Sequence, residues 1–91
     1  MEVQDNPAQK RFEMPLGEDD LAVVDYVEKD GVLHLTHTGV PSAWEGKGIG
    51  SKLVTGVFDL LRASGRKAFP VCPFIVAVAR RKPEYADVIA G

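Results

Sequence analysis

The feature that most restricts this chain is a run of alternating glycines, Glu45-Gly46-Lys47-Gly48-Ile49-Gly50, set between an apolar segment and an amphipathic one. The segment before it, Val32 to Val40, reads as a strand. Alternation predicts Leu33, Leu35 and His37 on one face and His34, Thr36 and Thr38 on the other. The segment after it, Ile49 to Ala63, carries Ile49, Leu53, Val57, Leu60 and Leu61 at helical spacing, and Gly65 reads as its stop. A strand, a glycine turn and a helix start together make an anion site. The first helical N–H groups lack intrahelical acceptors, the helix dipole places partial positive charge beside them, and glycine lets the backbone approach a phosphate closely.

Two common phosphate loops do not match. The dinucleotide fingerprint needs G-x-G-x-x-G followed by an acidic residue at a later strand end, and this run is G-x-G-x-G without that residue. The P-loop spacing G-x-x-x-x-G-K-[ST] is absent. From the glycines alone, two readings stand: an anion cradle, or a flexible loop that only starts a helix.

The rest of the chain supplies the setting. Asp5-Asn6-Pro7 reads as a turn, Gln9 to Met14 as a strand with Phe12 and Met14 inward, and Pro15 to Asp20 as an acidic turn. Leu21 to Glu28 is a second strand, and Asp30-Gly31 predicts a type I′ hairpin into Val32 to Val40. Lys67 to Cys72 is a fourth strand, Pro73 opens a second helix to about Arg81, and Glu84 to Ile89 forms a last turn. The order β-β-β-α-β-α predicts a mixed, four-stranded α/β (α+β) sheet, its fourth strand laid parallel to the third by a right-handed crossover. The glycine loop then sits at the carboxyl end of a parallel strand, where α/β sheets bind ligands.

Composition narrows the function. The chain has 91 residues, so a single domain spanning residues 1–91 is expected. Its formal net charge of −2 argues against nucleic acid or an anionic membrane as the main partner. There is no apolar run of membrane-spanning length and no apolar signal core near Met1, so a cytoplasmic location is expected. The single cysteine, Cys72, cannot form an intramolecular disulfide, and no Cys/His cluster suggests a metal.

Val40-Pro41 followed by Glu45-Gly46-Lys47-Gly48-Ile49-Gly50-Ser51-Lys52-Leu53 resembles motif A of the GNAT (GCN5-related N-acetyltransferase) superfamily, Gln/Arg-x-x-Gly-x-Gly/Ala. Thr36-His37-Thr38, Val71-Cys72-Pro73-Phe74 and Lys82-Pro83-Glu84-Tyr85, in that order, are similar to its small single-domain branch. The resemblance implies a minimal GNAT fold and an acetyl-CoA-dependent N-acetyltransferase. It further implies that Gly46, Lys47, Gly48, Ile49, Gly50 and Ser51 hold the coenzyme A pyrophosphate, with Gly39 and Val40 beside the pantetheine arm. Glu45 departs from the motif, since a carboxylate beside a pyrophosphate is unfavourable unless it points outward. The branch lacks the helical insertion with which larger members hold the amine acceptor, so a coenzyme A-binding module without efficient transfer is the alternative. A structural interaction domain whose glycine loop binds nothing is a third reading. The acceptor itself, a small amine or a protein lysine, has no signature in the chain.

The resemblance also implies a catalytic cysteine, and Cys72 stands at a predicted helix N-terminus, which favours thiolate. The plainer reading is a small buried hydrophobe. His37 is the matching candidate base, either for Cys72 or for the acceptor, because histidine takes up and releases protons near neutral pH. The alternative is a histidine that only fills a strand face. Tyr85 is read mainly as a packing residue, although it could protonate a leaving thiolate. Trp44 either covers a cofactor or closes the core, and Lys47 and Lys52 either assist phosphates or lie in solvent.

Overall fold

The computed structural model describes residues 2–90, and among them one mixed sheet carries two helices on a single face. The strands, in spatial as well as sequence order, are β1 (Gln4–Asn6), β2 (Arg11–Leu16), β3 (Asp20–Lys29), β4 (Val32–Gly39) and β5 (Lys67–Pro70). Neighbours are antiparallel except β4 and β5, which run parallel. The crossover between those two is α1 (Ile49–Ser64), and α2 (Pro73–Arg81) follows β5. Two 3-10 turns, Ser42–Trp44 and Pro83–Val88, complete the fold. Among the described residues no helix is long and apolar enough to cross a membrane.

Local signals place most of these elements. Asp30 and Gly31 take φ of 53° and 79°, the paired positive values of a type I′ turn, so the hairpin twists with its strands. Gly65 ends α1 in the left-handed region at φ 70°. Pro73 opens α2 directly after Cys72, where its missing N–H costs no helical bond. In α1 the residues Ile49, Leu53, Val57 and Leu61, with Val54 and Phe58, are buried, an apolar stripe on one face.

That stripe meets the inward residues of the sheet: Phe12, Met14 and Leu16 on β2, Ala22, Val24 and Tyr26 on β3, Leu33 and Leu35 on β4, and Ala68 on β5. Ile75 and Val78 of α2 and Val88 join the same cluster. The opposite face of the sheet is open and shows Leu21, Val27, Phe69 and Val71 to solvent. Tyr26 ties in the first strand, its hydroxyl donating to Asp5 Oδ1 at 2.7 Å. Burial first, and then that carboxylate, push its phenol up to about 12.

Three expectations need correction. The sheet has five strands where four are predicted, because the Asp5-Asn6 part of the expected turn is extended and pairs with β2 through Asp5↔Phe12 and Asn6↔Arg11. A three-residue strand is too short for alternation to reveal it. β2 also runs on through Pro15 and Leu16, read as turn. Proline is tolerated there because β1 pairs only as far as Glu13, so no neighbour asks Pro15 for an N–H.

The third correction bears on function. β3 and β4 pair Tyr26↔Leu35 and then Asp25↔His37, leaving Thr36 as an extra residue in a bulge. The bulge reverses the alternation beyond it. Thr38 pairs with buried Val24 and so faces the helices, whereas His37 pairs with Asp25 on the open face, away from Leu33 and Leu35.

Candidate functional site

β4 and β5 stay paired only from Val32↔Lys67 to Leu35↔Pro70. Past that point the carbonyl of Leu35 accepts from the N–H groups of both Val71, at 2.9 Å, and Cys72, at 3.0 Å. The chain then turns into α2 while β4 continues to Gly39. The two strands therefore diverge, and a groove of about 580 Å³ opens between the end of β4, the glycine loop and the start of α2. Of the ten residues predicted as a site, nine border it: Gly39, Val40, Gly46, Gly48, Ile49, Gly50, Ser51, His37 and Cys72. The tenth, Lys47, instead places its ammonium 5.5 Å from the centre of the Trp44 ring.

The loop has the geometry that an anion cradle needs. Gly46 and Gly48 sit at φ 79° and 74°, where other residues are strained, and a Cβ on either would meet nothing within 4 Å. Gly48 is the N-cap of α1, and its carbonyl accepts the first helical bond, from Lys52 N–H at 3.2 Å. The N–H groups of Ile49, Gly50 and Ser51 come before that bond, and no side chain caps them. They are the donors a diphosphate would take, with the helix dipole behind them. Glu45 is exposed at the edge of the same groove, which leaves its carboxylate free to remain in water.

At the other end of the groove lies the thiol. Cys72 is the N-cap of α2, and Val76 N–H bonds its carbonyl at 3.0 Å. Its sulfur is 3.7 Å from Thr38 Oγ1, a contact made possible by the bulge at Thr36. Desolvation works against the thiolate, but the amides of Ile75 and Phe74, together with the Thr38 hydroxyl and amide, outweigh it. The thiol is thereby held below its ordinary value. Folding should therefore move the alkylation profile of Cys72 by iodoacetamide to lower pH than in the urea-unfolded chain. Thr38→Val should move it part of the way back and slow alkylation several-fold near neutral pH, measured by intact mass on this one-cysteine chain. Coincident profiles for the folded and unfolded chain would contradict this.

The other candidates separate. His37 borders the groove, but its Nδ1 lies 3.4 Å from Asp25 Oδ2, and the residue in contact with the sulfur of Cys72 is Thr38. Tyr85 donates to Asp59 Oδ1 at 2.8 Å and packs its ring 5.3 Å from that of Phe58. It belongs to a clamp in which Arg62 grips both carboxylate oxygens of Asp87, and it does not border the groove. Trp44 closes the core and also borders the groove. Its indole N–H donates to Asp20 Oδ2 at 2.8 Å and its ring packs on the core, while another part of it lines the groove. Sequence reasoning missed Thr38 and Phe74 as groove residues. Strict alternation turned Thr38 the wrong way, and Phe74 had only its position beside Cys72-Pro73 to mark it.

Comparison with known proteins agrees with this fold. The family described as GCN5-related N-acetyl-transferase matches residues 11–88. The NMR structure of a GCN5-like protein from Staphylococcus aureus is similar, with a TM-score of 0.72 at 26% identity. The likeness covers 99% of this chain and 88% of that one. No curated protein matches the chain.

Proposed function

The chain belongs to the GCN5-related N-acetyltransferase family, and we propose that its groove takes acetyl-CoA and passes the acetyl group to an amine. The observation that carries this reading is the divergence of β4 from β5. It leaves the edge of β4 that faces β5 unpaired beyond Leu35, with the open N–H groups of α1 and the thiol of Cys72 along the same groove. Ile49, Gly50 and Ser51 would donate to the diphosphate, and the backbone of Gly39 and Val40 would lie beside the pantetheine. Bound there, acetyl-CoA would supply an acyl carbon already activated as a thioester.

The remaining chemistry belongs to the protein. The Cys72 thiolate forms a bond to the acetyl carbonyl carbon and expels the cofactor sulfur as thiolate, leaving acetyl-Cys72. The acceptor amine then displaces Cys72, which regains its thiolate, and His37 at the rim takes the amine proton. Because Thr38, and not His37, contacts the sulfur, His37 is assigned to the acceptor.

Trp44 is the only tryptophan and lines the groove, so its fluorescence reports binding directly. Titration with coenzyme A should shift Trp44 emission with saturation below about 1 mM, a weak but specific affinity of roughly −4 kcal/mol or better. No change in emission and no heat by calorimetry at millimolar ligand would remove the reading. A second reading, a coenzyme A-binding module, is favoured by the short Gly17 to Asp19 turn between β2 and β3, which leaves the acceptor side open. Binding without thiol release across a panel of amines and lysine peptides would select it.

A further inference from the structure

Gly50 owes its identity to a neighbour that the glycine motif does not announce. Unlike Gly46 and Gly48 it has no left-handed φ, and it lies within the first turn of α1. A Cβ on Gly50 would stand 2.8 Å from Cζ and 3.0 Å from Cε2 of Phe74, closer than side chains pack. The Phe74 ring is thus seated on the first turn of α1, while Phe74 itself is the second residue of α2. Phe74 as a whole remains 40% exposed and borders the groove.

This contact joins two helix N-termini with separate tasks. α1 brings the uncapped N–H groups to one end of the groove, and α2 brings Cys72 to the other, with the Phe74 amide helping to hold the sulfur as thiolate. A donor engaged at both ends needs those ends at a set separation, since small misplacements cost much of the benefit of proximity. We infer that Phe74 is a positioning residue for the acyl donor: its ring, resting on Gly50, sets the spacing between the diphosphate turn and the thiol. The inference rests on the coenzyme A reading of the groove. It gives Gly50 the task of making room for a ring, where the motif suggests room for a phosphate.

The test is a double-mutant cycle on the full chain with Phe74→Ala, Gly50→Ala and the pair, reading coenzyme A affinity by calorimetry, donor KM and kcat, and thermal melting. Phe74→Ala should raise the donor Kd and KM about tenfold, and Gly50→Ala should do the same by evicting the ring. The melting temperature should hardly fall in Gly50→Ala, because alanine is the better helix former and the ring can swing into solvent. The double variant should bind no worse than Phe74→Ala alone, and Phe74→Tyr, which keeps the ring, should bind like the native chain. Losses that multiply in the double variant, or Phe74→Ala binding at native affinity, would overturn the inference while leaving the groove's ligand intact. Failure of the unaltered chain to bind coenzyme A would instead overturn the reading beneath it.

Discussion

Cys72→Ala should retain coenzyme A affinity within a few-fold yet lose at least about 100-fold in acetyl transfer. Binding survives because the proposed diphosphate donors are backbone groups of α1, which the substitution does not touch. The fold survives because Cys72 is only half-buried and packs at the margin of the core, outside the fully buried cluster. Transfer is lost because the sulfur is the one nucleophilic side chain bordering the groove with its charged form favoured, by the amides of Ile75 and Phe74 and by Thr38. Intact mass after brief exposure to acetyl-CoA should show one acetyl group on the native chain and none on the variant. Thiol release followed by the cofactor's own absorbance should confirm the rate. Full turnover by Cys72→Ala would take the thiol out of the mechanism and leave direct attack by the amine.

Phe58→Ala should cost about 3–5 kcal/mol, the range for emptying a fully buried phenylalanine site. Phe58 lies on α1 against the sheet, and its ring is 5.3 Å from that of Tyr85, so its removal loosens the C-terminal turn as well as the core. A domain of this size has only about 5–14 kcal/mol in total. The melting temperature should therefore fall by roughly 15–30 °C, followed by circular dichroism. Leu21→Ala on the open sheet face is the control, and should stay within about 0.5 kcal/mol of the native chain. A fall under 5 °C in Phe58→Ala would mean that the α1 interface is not where this domain keeps its stability.

These two substitutions mark different kinds of legibility. Phe58 sits on a helix whose apolar spacing picks out Ile49, Leu53, Val57 and Leu61 of the buried stripe, although Phe58 itself is added by packing and Leu60, at the same spacing, is only half-buried. The pair Asp30-Gly31, the stop at Gly65 and the start at Pro73 were equally readable, because each depends on the φ preferences of one or two residues. The neighbourhood of Cys72 was not. Its contact with Thr38 spans 34 positions and exists only because Thr36 is extruded when β4 pairs with β3. Nothing in Thr36-His37-Thr38 announces a bulge, and without it the alternation sends Thr38 outward and His37 inward.

The glycine loop shows where the division falls. Residue chemistry alone was enough to specify a strand, a glycine turn and a helix whose first amides lack intrahelical acceptors, since all of that is settled within a few bonds of backbone. Which groups share the groove with those amides was settled by packing. Parallel pairing that stops at Leu35 and Pro70 opened the groove, the bulge turned Thr38 onto the thiol, and the seat of Phe74 on Gly50 joined the two helix ends. Those are contacts between distant segments, and their geometry depends on strand register and side-chain volume across the whole core rather than on any local preference.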